Sequence, residues 1–192
     1  MVCPLCETCD TVGGCVEGPR PACKQPTKPL KASILLQDRT PNDLDQVKWK
    51  WSNGQATTFA ELGAPLTSDD YALCVYDATS QLLFKMTAPA GGTCGTKPCW
   101  KQLGSSLVPK GYKYKDLDGL PHDLDSMTLK AGLDGKAKIT LKGKGPNIPM
   151  PALGSFALPL TTQMQSGNGA CWEATTTAPN VNTTSLFKAK AD

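Results

Sequence analysis

The sequence predicts a mostly β fold: a β-sandwich or flattened barrel of about ten antiparallel strands, preceded by a small disulfide-rich segment. Short stretches in which apolar and polar residues alternate recur along the chain, which is the pattern of half-buried strands. The 18 glycines and 16 prolines fall between these stretches, where they favour turns. A thirteen-residue pattern at 38–50 returns at 118–130 with six identical positions. This repeat predicts an internal duplication with pseudo-twofold character.

Residues 1–30 are expected to form a cysteine-rich segment ahead of a duplicated main domain at 31–192. The segment contains too few apolar residues to build a core, so covalent crosslinks must hold it. Zinc and iron–sulfur sites also use Cys-x2-Cys spacing, but Gly13 stands where a ferredoxin run would need its fourth cysteine. We therefore predict disulfides, with a metal site as the alternative. Because the number of cysteines is odd, one must bond elsewhere or stay reduced. The cysteines concerned are Cys3, Cys6, Cys9, Cys15 and Cys23.

The main domain begins with strands on either side of the first acidic turn, at about 32–37 and 47–51. Asn53-Gly54 and Asp134-Gly135 predict hairpin turns. One short helical turn is expected at 59–62, closed by Gly63. Further strands are expected at about 71–77, 81–87, 99–103, 112–115, 125–131, 136–144, 155–164, 169–177 and 185–190.

Four cysteines lie in the main domain: Cys74, Cys94, Cys99 and Cys171. Four cysteines allow three pairings. A Cys94–Cys99 bond would close a tight loop that contains Gly95 and Pro98. We favour this bond, with Cys74–Cys171 as the second one, which would tie the two repeats together.

The repeated acidic turns are candidate calcium sites. Calcium takes six to eight oxygen ligands, often from a short loop of acids. The spacing is poor for this purpose, because Pro121-His122 interrupts the second turn and no bidentate glutamate follows. The competing interpretation is that aspartates stabilise turns by accepting backbone N–H groups. The residues are Asp38, Asp43, Asp45, Asp116, Asp118, Asp123 and Asp125.

Aromatic side chains form the second candidate site. Trp49 and Trp51 share one strand face, as do Tyr112 and Tyr114. An exposed aromatic row would bind a carbohydrate by stacking. Burial in the core of a β-sandwich is the competing and favoured interpretation.

Alternating lysines are the third feature, with Lys136, Lys138, Lys142 and Lys144 on one strand face and Lys113, Lys115 and Lys130 as a possible extension. Such a stripe could contact an anionic polysaccharide, lipid headgroups or nucleic acid. We favour a solvated sheet face that resists aggregation.

The sequence offers little for catalysis. His122 is the single histidine, so a centre with several histidine ligands is excluded. No Gly-x-Ser-x-Gly, Walker A or His-Glu-x-x-His motif occurs. An unrecognised hydrolase that uses His122 or an aspartate remains the alternative to a non-catalytic protein.

Composition predicts the compartment and the class of partner. Nine cysteines in 192 residues favour an oxidising compartment. No apolar run approaches the roughly 20 residues of a membrane span. The net charge of +3 is too small to indicate nucleic acid. The chain begins without a signal peptide, which is expected of a mature or partial chain. A complete cytosolic protein is the alternative.

Three cysteine-bearing segments resemble an uncharacterised domain of predicted secreted or cell-surface proteins of environmental Gram-negative bacteria, which often follows a cysteine-rich lead. The segments are Asp70–Asp77, Gly91–Lys101 and Cys171–Ala174. The resemblance implies export and no particular activity. We therefore expect a secreted, periplasmic or cell-surface module that is non-catalytic and binds an extracellular polymer, such as a polysaccharide, or a protein, with a calcium-dependent or carbohydrate-binding module as the alternative.

Overall fold

Antiparallel sheets make up most of the computed structural model, which describes residues 2–10 and 12–192. The mostly β prediction is confirmed. The only helical elements among these residues are two single 3-10 turns, Asn42–Leu44 and Ala60–Leu62, the second at the predicted position. In chain order the strands are β1 (Glu7–Cys9), β2 (Cys15–Glu17), β3 (Ala32–Gln37), β4 (Gln46–Gly54), β5 (Tyr71–Tyr76), β6 (Leu82–Ala88), β7 (Thr93–Cys94), β8 (Lys97–Pro98), β9 (Trp100–Gly104), β10 (Pro109–Lys115), β11 (Ser126–Lys130), β12 (Ala137–Lys144), β13 (Leu160–Ser166), β14 (Cys171–Thr176), β15 (Val181–Thr183) and β16 (Leu186–Lys190).

The largest sheet has eight strands in the order β15-β16-β3-β4-β12-β11-β10-β9. Strands β3, β4 and β12 alternate as the sequence predicts, with one face buried and the other partly or fully exposed. The buried face is unusually aromatic, since Trp49, Trp51, Tyr112 and Tyr114 all point inward. Gly54 is required here because a Cβ at that position would lie 1.8 Å from the Trp51 ring.

The second sheet has four strands in the order β14-β13-β5-β6. Both of its faces are covered, and every residue of β5 is buried. A continuous apolar run is what burial on two faces requires. One face of β5 presents Tyr71, Leu73 and Val75 to the main core, and the other presents Cys74 and Tyr76 to a small cluster that includes Cys6.

The main hydrophobic core contains residues of both sheets and all four tryptophans. The indole N–H groups of Trp51, Trp100 and Trp172 each donate a hydrogen bond, as buried tryptophan usually requires. Trp51 Nε1 donates to the Glu173 carbonyl at 3.0 Å and so connects the large sheet to the small one. Trp172 Nε1 donates to Thr57 Oγ1 at 3.1 Å.

The cysteine-rich segment lies against the outer face of the small sheet. Disulfides Cys6–Cys74 and Cys23–Cys171 attach it there. Beyond Cys23 the chain runs beside β14, where Lys24 N donates to the Cys171 carbonyl at 3.0 Å and Glu173 N donates to the Lys24 carbonyl at 2.7 Å. Residues 2–10 and 12–30 therefore cover one face and one strand edge of the small sheet.

The four disulfides correct the predicted pairing. Cys94–Cys99 is confirmed. The predicted Cys74–Cys171 bond is wrong, because each of these two cysteines bonds to the N-terminal segment instead. The fourth bond is Cys3–Cys15, and Cys9 Sγ lies 2.8 Å from Cys3 Sγ. The sulfurs of Cys3, Cys9 and Cys15 thus form one cluster.

The duplicated sequence forms two hairpins with an acidic turn at each tip, β3–β4 and β10–β11, which lie on either side of β12. Their order is mirrored across β12. A twofold axis perpendicular to the sheet would superimpose the hairpins only with their strand directions reversed. A twofold axis along the strands would keep the directions but turn the buried face outward. The predicted pseudo-twofold symmetry is therefore not confirmed.

The Pro-rich connector is longer than predicted. The strand expected to begin at about 155 begins at Leu160. Pro159 has no N–H to donate to a ladder, which explains the late start. Phe156 in this connector packs edge-on against Phe187 at 5.3 Å between ring centroids.

Candidate functional site

The aromatic residues proposed for sugar stacking lie in the core. Trp49 is 2% exposed, Trp51 is fully buried, and Tyr112 and Tyr114 are at most 5% exposed. Trp100 packs edge-on against Tyr114 with centroids 5.0 Å apart. These rings stabilise the interior and present no planar surface to a ligand.

The acidic turns use their oxygens to hold the backbone. Asp45 is buried, and its Oδ1 accepts the Arg39 N–H at 2.6 Å. Asp123 is also buried, and its Oδ2 accepts the Asn147 N–H at 2.5 Å. Each turn therefore has at least one buried aspartate that fixes the path of the chain, as the turn interpretation predicts.

A second pair of aspartates ties the later turn to the β7–β8 hairpin. Asp116 accepts the Tyr114 hydroxyl at 3.1 Å and the Asp118 N–H at 2.8 Å. Asp118 in turn accepts the Gly95 N–H at 2.5 Å. Burial raises the pKa of Tyr114 above its usual range, and the Asp116 carboxylate adds to the increase.

The remaining aspartates do not complete a ligand shell. Asp43 is exposed in the 3-10 turn. Partial desolvation of the Asp125 carboxyl group and the nearby Asp123 carboxylate raise the pKa of Asp125. Asp38 donates its backbone N–H to the Ser185 carbonyl at 3.0 Å. Within residues 2–10 and 12–192, no three of the seven carboxylates lie within 4.8 Å of one another.

We expect calcium and EDTA to give the same melting temperature. Calcium needs six to eight convergent oxygens, whereas the buried oxygens of Asp45 and Asp123 already accept backbone N–H groups. Differential scanning calorimetry in each condition measures this. A rise of several degrees with calcium that disappears in Asp116→Asn/Asp118→Asn would contradict the turn interpretation and restore the calcium site.

His122 is hydrogen-bonded as an acceptor. Thr87 donates its backbone N–H to His122 Nδ1 at 3.2 Å, and the Thr87 hydroxyl lies 3.2 Å from the same atom. Burial and the nearby Lys85 ammonium lower the pKa of His122. The contacts found for this ring in the described chain include no serine or cysteine, so the hydrolase alternative gains no support.

The most distinctive surface is the outer face of the eight-stranded sheet, which we call the lysine face. It comprises the outward positions of seven strands, β3, β4, β9, β10, β11, β12 and β16, and crosses about 29 Å from β16 to β9. Its lysines are Lys48, Lys50, Lys101, Lys113, Lys115, Lys130, Lys138, Lys142, Lys144, Lys188 and Lys190.

No carboxylate on these strands balances this charge. The sequences of all eight strands of the sheet lack aspartate and glutamate. The single ion pair among the described residues, Lys24–Glu61, lies elsewhere. Although the net charge of the chain is only +3, its cations are concentrated on one surface.

Three pairs of lysines lie directly opposite each other on neighbouring strands: Lys48 with Lys142, Lys138 with Lys130, and Lys113 with Lys101. Directly opposed residues in antiparallel strands have Cα atoms only about 5 Å apart. Like charges in this position destabilise a sheet. The sheet therefore carries repulsion that an ordinary mixture of lysine and glutamate would remove.

The sequence pattern predicted only part of this face. It indicated a shared surface for lysines of β10, β11 and β12, but not that lysines of β4, β9 and β16 lie on the same surface. The sequence feature that could have indicated the lysines of β4 and β16 is their Lys-x-Lys pattern, Lys48/Lys50 and Lys188/Lys190. The sequence alone does not give the order of the strands, which decides whether these lysines lie on one surface.

Comparison of the chain with models of known protein families, with curated proteins and with solved structures finds no match. The resemblance to a bacterial surface domain therefore stays an expectation. Among the described residues, no helical segment has the length and apolar character needed to cross a membrane.

Proposed function

We propose that the chain is a non-catalytic β-sandwich module that works outside the cytosol, in the periplasm, on the cell surface or secreted, and that its lysine face binds an acidic polysaccharide. The observation that carries this proposal is the set of three directly opposed lysine pairs on a sheet without carboxylates. The four disulfides support a location outside the cytosol, since such bonds persist in oxidising surroundings.

Protection against aggregation does not explain the position of these lysines. Proteins place lysine on edge strands to stop them from pairing with other chains. Here β4, β12 and β11 are central strands, paired on both sides. Their lysines repel one another without guarding an edge, so a ligand that neutralises them is the simpler explanation.

The residue types favour a polymer with repeated charges. The face has lysines but no arginine, since Arg20 belongs to the N-terminal segment and contacts β13, and Arg39 lies in a turn. Lysine acts as a point charge, whereas arginine recognises one carboxylate or phosphate with two parallel hydrogen bonds. Recognition by charge density suits a polyanion more than a small molecule.

A polysaccharide fits this surface better than a nucleic acid. Nucleic-acid modules that bind single strands stack bases on exposed aromatic rings, and the four tryptophans here are buried. Thr128, Thr140 and Ser126 lie among the lysines and offer hydroxyl groups to sugar hydroxyls.

Equilibrium binding to immobilised dextran sulfate and polygalacturonate, with neutral dextran as the reference, tests the proposal. We expect tight binding to both acidic polymers at low salt and steep weakening as salt is added. The variant Lys48→Gln/Lys142→Gln should bind at least about 30-fold more weakly, because each lysine contributes about 1 kcal/mol at an anionic surface.

The matched control is Lys28→Gln/Arg39→Gln, which removes two exposed charges outside the face and should keep most of the affinity. The face variant should melt at the same or a higher temperature than the parent, because it relieves repulsion. Equal losses in both variants, or no binding to either acidic polymer, would overturn the proposal. Tighter binding to double-stranded DNA at matched charge would reassign the face to nucleic acid.

A further inference from the structure

Two grooves lie near opposite ends of the lysine face, and each combines several lysines with an apolar side chain. The first, the Leu35 groove, has a volume of about 340 Å³ and lies over β16, β3, β4 and β12. The second, the Leu117 groove, has a volume of about 490 Å³ and lies over β9, β10 and the β7–β8 hairpin. The combination of several lysines with one apolar side chain therefore occurs twice on the face, on different strands.

In the Leu35 groove, the apolar side chain is surrounded by cations. Leu35 lies directly between Lys48 on β4 and Lys188 on β16. One step along the same strands, Ser33 lies between Lys50 and Lys190. An anionic sugar with one C–H face against Leu35 would have these ammonium groups around its charged substituents.

The Leu117 groove is built differently but offers the same chemistry. Lys101 and Lys113 are a directly opposed pair, and Lys97 and Lys115 also line the groove. Leu117 is 70% exposed. The lining also includes the Cys94–Cys99 disulfide, which closes the β7–β8 hairpin.

Serine and threonine side chains line the surface between the two grooves. Thr140 on β12 lies directly opposite Thr128 on β11, and Thr128 lies opposite Lys113 on β10. Ser126 lies between Lys142 and Lys115 in the adjacent row. The path therefore crosses the strands at right angles, and the groove centres are four strand spacings apart, about 19 Å.

We propose that the two grooves are subsites for one acidic polysaccharide chain, which lies across the strands and occupies both grooves at once. This inference rests on the proposed function. Linking two weak sites through one ligand raises the affinity without any new contact, provided that the ligand spans both. Binding should therefore depend on chain length with a threshold, and not rise evenly with the number of charges.

Isothermal titration calorimetry with size-fractionated oligogalacturonates and sulfated dextran fragments tests this. Fragments shorter than about 19 Å should bind weakly, with two fragments per protein. Fragments that span both grooves should bind with one per protein and at least 100-fold more tightly. Either groove variant, Lys48→Gln/Lys142→Gln or Lys101→Gln/Lys113→Gln, should return the long fragments to the affinity of short ones.

The control is Lys130→Gln/Lys138→Gln, an opposed lysine pair on the same face that lines neither groove. We expect less than a fivefold loss for long fragments in this variant. If it loses as much as the groove variants, or if affinity rises smoothly with length, the two-subsite inference fails while polysaccharide binding stands. Absence of binding by long fragments would instead overturn the proposed function.

Discussion

Replacing Cys23 and Cys171 with alanine is expected to lower the free energy of unfolding by about 4 kcal/mol. This disulfide joins residues separated by 148 positions, and a crosslink that closes so long a loop removes much of the conformational freedom of the unfolded chain. It also holds Lys24 beside β14, where two backbone hydrogen bonds cover the strand edge. Urea denaturation of the double variant, followed by tryptophan fluorescence, measures the loss.

The matched control is Cys94→Ala/Cys99→Ala. All four cysteines are 7% to 9% exposed, so each variant deletes two sulfur atoms that are buried to a similar extent. The control bond spans only 5 positions, and its removal should cost about 2 kcal/mol. Equal losses in the two variants would show that local packing, and not loop closure or the covered edge, sets the contribution of the long bond.

Period-two alternation was enough to place most strands. Ile34 and Leu36, Val47 and Trp49, and Ile139 and Leu141 are all buried on the predicted faces. Alternation works because a strand exposes every second side chain to the same environment. It fails near Pro159, where the missing N–H ends the ladder without changing the hydrophobic pattern.

The alternation of apolar and polar residues could not predict the disulfide pairing or the lysine face, because both depend on contacts between distant parts of the chain. Cys74 bonds to a residue 68 positions earlier, and any of several cysteines had a suitable spacing. The lysine face needed the order of eight strands. A strand pattern states which side chains share a face of one strand, but not which strands are neighbours.

Replacing Arg20 with methionine is expected to lower the free energy of unfolding by about 3 kcal/mol. Arg20 is 8% exposed, and burial lowers the pKa of its guanidinium. Its Nη1 donates to the Ser166 carbonyl and its Nη2 to the Cys3 carbonyl, both at 2.8 Å. One side chain thus joins β13 to the N-terminal segment. Its loss removes this donor from the Cys3 carbonyl, whereas the Ser166 carbonyl keeps the Gly169 N–H as a donor.

Urea denaturation measures this loss, and hydrogen exchange locates it. Cys6 N donates to Gln165 Oε1 at 2.8 Å beneath the segment, so its amide should exchange faster in the variant, while amides of β4 and β12 should change only in step with global stability. Arg39→Met is the control, since Arg39 is the only other arginine and is exposed; it should cost less than about 0.5 kcal/mol. If the two substitutions cost the same, the Arg20 guanidinium does not hold the segment to the sheet, and the disulfides and the other hydrogen bonds do so.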